Sequence, residues 1–154
     1  MVIEVAHYTS SGVVLDGNGN VLLIHHRNHG RWLCPGGEIE ADEDPLAGAA
    51  REVREETGID VEPIGAPNFE HPSLRSVLPP FAVLDMMVTD RRLGYHRHIS
   101  FVYVFRPVSG DLTPQLAEVS DAAWVPIDQV STLEVPDDLP ALVTAAAGWA
   151  AARV

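Results

Sequence analysis

Lysine is absent from this 154-residue chain; all ten of its basic side chains are arginine. Any permanently charged contact to an anion must therefore come from a rigid, forked guanidinium. There is one cysteine, Cys34, so no internal disulfide can form, and a reducing, cytoplasmic setting is the default expectation. No apolar run is long enough to span a bilayer. The opening "MVIEVAHYTSSG" lacks the basic segment and long apolar stretch of a secretory leader. Repeats, low-complexity tracts and linkers are missing too, which fits one domain over 1–154. A formal net charge of −12, without a basic or aromatic-rich accessory segment, argues against a nucleic acid partner. The 46% hydrophobic content excludes a disordered chain.

Two apolar runs, "YTSSGVVL" and "VLLIHH", flank "DGNGN" and predict a hairpin. "RWLCPGG" leads into a tight loop, where Pro35, Gly36 and Gly37 call for special backbone geometry. A helix follows, with Asp44 as N-cap, Pro45 at its first position and Gly58 as its left-handed stop. Leu46, Ala49, Ala50 and Val53 form its core-facing stripe. "IDVEPIG", "FAVLDMMV", "HRHISFVYVFRP" and "AAWVPI" read as strands, and "PDDLPALVTAAAGWAAARV" as a closing helix. Leu139, Leu142, Val143 and Ala146 give that helix a face for the sheet; a partner helix is the alternative, and Trp149 suits either. Together these elements predict an α/β fold with a mixed sheet between helices.

The central helix poses an electrostatic problem. Glu52, Glu55 and Glu56 stand at i, i+3 and i+4 and share one surface. The like-charged i, i+4 pair costs roughly 0.2–0.5 kcal/mol. Glu55 and Glu56 also sit in the last turn, where the helix dipole is negative. A divalent cation reverses the sign of both terms, and a set of hard oxygen donors favours Mg2+ or Mn2+. The ordinary alternative is a solvated acidic face paired with arginines.

The surrounding spacing narrows the choice. From Gly37, five residues precede Glu43 and seven more precede "REVREETGI". Residues 37–59 resemble the Nudix box: Gly, five residues, Glu, seven residues, then Arg-Glu-aliphatic-any-Glu-Glu-any-Gly-aliphatic. Every fixed position is filled. The flanking "W..PGG" and "AAWVPID" are also similar to the family. The resemblance implies an α/β/α Nudix fold and metal-dependent hydrolysis of a pyrophosphate bond, usually in a nucleoside diphosphate linked to another group. It implies Glu52, Glu55 and Glu56 as metal ligands, joined by a backbone carbonyl at Gly36 or Gly37, and one of Glu55 or Glu56 as proton acceptor. Arg51 resembles the arginine that orients the acids, Glu43 the residue that braces the loop or reaches metal through water, and Gly58 the box's closing glycine. Family members also place a glutamate before the late tryptophan strand, and Glu118 stands there as an additional ligand or base, the alternative being an ordinary exposed loop acid.

Other residues leave alternatives open. His25, His26 and His29 precede the box. His96 and His98 form H-x-H on one face of a strand, a geometry compatible with a zinc pair whose remaining ligands the sequence does not reveal. A substrate contact, assigned first to His98, competes with simple packing. Arg27, Arg31 and Arg97 suit phosphate or ion pairs. Tyr95, Phe101 and Tyr103 suit base stacking or the core. Cys34 reads as a packing residue. The expected substrate is a small nucleotide, a nucleoside triphosphate or nucleotide-sugar by elimination, and a homodimer has family precedent. Two rival functions remain: a non-catalytic nucleotide-binding module and an RNA 5′-end hydrolase.

Overall fold

Turn chemistry starts the chain's architecture. A computed structural model describes residues 6–153; the reading of residues 1–5 as leaderless lies outside it. Strand β1 (Ala6–Val14) ends at a tight turn where Gly17 and Gly19 adopt φ of 79° and 85°. Asp16 Oδ1 accepts from the backbone N–H of Asn18 and Asn20 at 2.8 and 3.0 Å. Strand β2 (Asn20–His26) follows. The expected hairpin is corrected here: β1 and β2 share one bridge, Leu15 with Val21, and then enter different sheets. Both runs are apolar on successive residues, so each can be covered on both faces, and pairing partners come from distant chain.

The first sheet contains β4 (Gly36–Glu38), β1, β7 (Gly94–Ser109) and β5 (Asp60–Pro63) in that order, with β6 (Ala82–Asp90) paired to the front half of β7. Strands β1 and β7 run parallel over nine residue pairs; the other pairings are antiparallel, so the sheet is mixed. The second sheet is antiparallel, with order β3 (Arg31–Leu33), β2 and β8 (Val119–Pro126). Helices α1 (Pro45–Thr57) and α2 (Leu139–Ala151) cover opposite faces.

Alternation explains how. Val14, Leu22, Tyr103 and Phe105 pack with Ala49 and Val53 of α1. Their neighbours Val13, Val21, Leu23, Val102 and Val104 pack with Val143, Ala146 and Ala150 of α2. Each fully buried Val, Leu or Phe among them contributes about 1.5–3 kcal/mol of transfer free energy. Helix α2 thus covers the sheet, as its apolar face predicts. Trp149 meets Phe81 edge-to-face at 5.4 Å, with Arg153 4.0 Å over its ring. Among the described residues, no helix is long and apolar enough to cross a membrane.

Candidate metal centre and cleft

Local signals fix α1 and thereby the acids on it. Asp44 accepts from Ala47 N at 2.8 Å, and Gly58 closes the helix at φ 78°. With Ala49 and Val53 turned into the core, Glu52 and Glu56 follow one flank and become buried, whereas the Glu55 side chain stays half exposed. Strand β4 lies across that flank. Gly36 N donates to Glu56 Oε1 at 2.8 Å. A Cβ on Gly37 would sit 2.5 Å from Glu52 Oε1, and one on Gly36 would sit 2.6 Å from the Ser10 carbonyl. Neither glycine has positive φ, so the special geometry expected there is close approach instead of a left-handed turn.

The loop before β8 supplies the third acid. Arg27 N donates to the Glu118 carbonyl at 3.0 Å, and Arg27 Nε to the Leu116 carbonyl at 2.7 Å, tying this loop to the end of β2. Glu52, Glu56 and Glu118 consequently bring carboxylate oxygens within 4.8 Å of one another. Glu55 stands outside this trio, with Oε2 3.0 Å from Arg51 Nη1.

Arg51 organises the box. Its guanidinium donates to both oxygens of Glu43, at 2.7 and 2.9 Å, and Nη1 donates to Glu52 Oε1 and Glu55 Oε2 at 3.0 Å each. It also reaches the Glu38 carbonyl at 3.2 Å, and Glu43 Oε1 accepts from Glu40 N at 2.9 Å. The Arg51 hydrogen bonds hold the Glu43 carboxyl below its usual range. Nothing equivalent serves Glu56. Burial, reinforced by the charges of Glu52, Glu118 and Glu55 and only partly opposed by the Gly36 N–H, pushes Glu56 up to about 9. Burial raises Glu52 as well, against the pull of Arg51.

Glu56 Oε2 is buried without a hydrogen-bond partner among the described residues. His26 Nε2 lies 3.9 Å from it. His26 Nδ1 accepts from Asn28 N at 3.1 Å, which leaves the neutral ring's proton on Nε2, facing the acid. Burial, with His29 nearby, drops His26 to about 4, so it brings no charge at neutral pH. The trio therefore gathers hard oxygen donors whose ionisation burial and mutual repulsion oppose, with one orphaned buried oxygen among them. These residues fit a divalent cation.

Glu52 and Glu118 line a cleft of about 810 Å³ between the two sheets, and Arg27, Arg31, Arg92, His29, His96 and His98 line it with them. Leu84, Met86 and Val88 of β6 add an apolar wall, with Leu139 and Leu142 from α2. Arg97 pairs with Asp85, at 2.6 and 2.8 Å, and is not among the cleft residues. Tyr95, Phe101 and Tyr103 do not line the cleft either: Tyr95 is exposed, Phe101 stacks on Tyr8, and Tyr103 is core. His25 bonds Ser120 Oγ at 2.7 Å. Cys34 packs beside the core at the cleft wall, where burial raises its thiol to about 12. Sequence reasoning did not single out Asp90 and Arg92, which line the cleft, or His7, whose ring meets those of His96 and His98; Asp90 ends β6 at the turn into β7.

Comparison with known proteins agrees with the box. Residues 6–144 match the NUDIX domain. The chain is 33% identical over 139 residues to MutT4 of Mycobacterium tuberculosis (strain CDC 1551 / Oshkosh), covering 83% of this chain and 50% of that protein. It is 52% identical over 52 residues to a MutT-like protein of Streptomyces ambofaciens, 34% of each. The chain thus spans half or less of the length of these curated relatives. A crystal structure of a NUDIX-family hydrolase from Clostridium perfringens superposes with a TM-score of 0.77 at 22% identity, covering 92% of this chain and 96% of that one; at this identity the likeness shows the fold. An unbroken box, the two-sheet fold and a match over nearly the whole chain lead to one conclusion: this chain belongs to the NUDIX domain family.

Proposed function

We propose that this chain hydrolyses a pyrophosphate bond in a nucleoside diphosphate linked to a further group, with Mg2+ or Mn2+ held by Glu52, Glu56 and Glu118. The observation that carries this reading is Glu56 Oε2, buried and unpartnered among further carboxylates at the edge of a cleft that also holds arginines. A bound divalent ion supplies charge neutralisation at phosphate oxygens and a water of lowered pKa. The Gly37 carbonyl is the backbone ligand added from β4. Arg51 orients Glu52 while keeping Glu43 locked against the loop. Glu55, near enough to raise the cost of charge on Glu52 and Glu56, serves as outer ligand or proton acceptor for the attacking water.

Arg27 and Arg31 bind the phosphate remote from the trio, since both line the same cleft and no lysine competes for that role. The substrate is a small nucleotide of the triphosphate or nucleotide-sugar type, and the setting is cytoplasmic. The test is nucleoside monophosphate or phosphate release from a panel of such compounds with Mg2+, by wild type and Glu56→Gln. Turnover by wild type, lost in the variant, is expected. Saturable binding without turnover across the panel would instead assign a non-catalytic nucleotide-binding role.

A further inference from the structure

The H-x-H pair finds additional donors that sequence spacing could not place. Parallel pairing sets His7 of β1 directly beside His98 of β7, and His96 lies two residues earlier on the same face. The three rings are in mutual contact, with centroids 4.5 Å (His96–His98), 5.3 Å (His7–His96) and 6.1 Å (His7–His98) apart. Asp90, at the end of β6, points Oδ2 to within 3.6 Å of His96 Nε2. Its other oxygen is taken by the N–H groups of Arg92 and Leu93, at 2.9 and 2.5 Å.

Tautomers can be read from the outer partners. His96 Nδ1 lies 2.9 Å from the Gly94 carbonyl, which only accepts, so Nδ1 carries the proton and neutral His96 presents a lone pair at Nε2. His7 Nδ1 lies 3.1 Å from Glu38 Oε1, with the same consequence. An acceptor on Nδ1 that turns Nε2 outward is the usual support of a metal-binding histidine. His98 Nε2 lies 2.7 Å from that of His96 and donates to its lone pair, so a bound ion requires the His98 proton to move to Nδ1.

We propose that His7, His96 and His98, through Nε2, together with Asp90 Oδ2, form a second metal site that takes one borderline-soft divalent ion, zinc in the first instance. Tetrahedral imidazoles with Zn–N of ~2.0–2.1 Å set ring centroids roughly 5 Å apart, which the three observed separations bracket. Two nitrogens on one such ion lie ~3.3 Å apart, so His96 and His98 must open by roughly 0.6 Å, and His7 and Asp90 must swing inward, since among the described residues only Glu52, Glu56 and Glu118 already bring three donor atoms within 4.8 Å of one another. The donor chemistry separates this site from the box: imidazole nitrogens select zinc or cobalt, whereas the all-carboxylate trio selects Mg2+ or Mn2+. The ion would cross-link β1, β6 and β7 at the cleft wall, and at His98 this replaces a direct substrate contact through Nε2. The site does not depend on the proposed hydrolysis.

The test uses full-length, chelator-stripped protein in excess Mg2+, titrated with Co2+ and followed by visible ligand-field absorption. One equivalent with intense four-coordinate bands is expected, bleached by one equivalent of Zn2+. His96→Ala and His98→Ala should each weaken uptake by roughly tenfold or more, whereas Glu52→Gln/Glu118→Gln should leave the bands intact. If the alanine variants misfold by circular dichroism, wild type alone decides: Zn2+ should protect His7, His96 and His98 from acylation mapped by mass spectrometry. No bands and no protection would overturn the site and leave a histidine pair that merely shares a proton. Bands that persist in folded His96→Ala and His98→Ala would overturn it too.

Discussion

Replacing Glu56 by Gln should remove a specific pH dependence from the stability of the metal-free protein. In the fold this carboxyl is raised to about 9 from its ordinary value of 4.5, chiefly by burial. Between those values the native state binds a proton that the unfolded state releases. Stability from this group is therefore fully present below pH 4.5 and is lost as pH climbs through 9. The slope is ~1.4 kcal/mol per pH unit, so moving from pH 5 to pH 7 should cost wild type about 3 kcal/mol that the variant does not lose. Glutamine keeps the acceptor for Gly36 N–H, and its amide adds an unpaired donor whose cost of ~1–3 kcal/mol is the same at each pH. Comparing the two proteins at each pH cancels all other titrations. Urea unfolding in chelator at pH 5, 6 and 7 reads the difference directly. Saturating Mg2+ should reverse the trend in wild type alone. Parallel stability curves for the two proteins would refute the claim that Glu56 is buried without compensation.

Other perturbations probe neighbouring parts. Gly37→Ala drives a Cβ into Glu52 Oε1; Mn2+ affinity by calorimetry should fall at least tenfold with the fold retained by circular dichroism. Arg51→Lys loses the fork between Glu43, Glu52 and Glu55 and should cost about 1–3 kcal/mol in urea unfolding, most of it from unpaired acids. His26 and His98, both held at about 4 chiefly by burial, should make chelator-treated protein lose stability as pH falls from 6.5 toward 4, because the unfolded state then takes up protons that the native rings refuse. His26→Gln should flatten that acid limb in a pH series of unfolding curves. Val53→Ala, fully buried beneath the sheet, should cost about 2 kcal/mol by the same assay.

What could be read from sequence tracks how local the determinants are. Helix α1 was legible end to end, because Asp44, Pro45 and Gly58 act within one turn of its ends. The box puts Glu52, Glu55 and Glu56 on one helix surface, of which Glu52 and Glu56 enter the buried cluster and Glu55 does not, and the Arg51–Glu43 pairing lies within the same segment. Glu118 was reachable only through family resemblance, since a distant loop brings it to the helix. The "DGNGN" turn was legible, but the pairing of its flanking strands was not: register depends on β7 and β8, more than 80 residues away in the chain. His7 and Asp90 escaped for the same reason, as only the sheet sets them beside His96. The aromatics on β7 were ambiguous because strand alternation gives two faces without saying which one meets the cleft.

Calorimetric titration of Mn2+ into wild type, Glu56→Gln and Glu118→Gln tests the central claim most directly. Uptake by wild type, weakened at least tenfold in both variants while their circular dichroism is unchanged, is the expected result. Equal uptake by all three, or none by wild type, would contradict a metal centre built on these buried carboxylates.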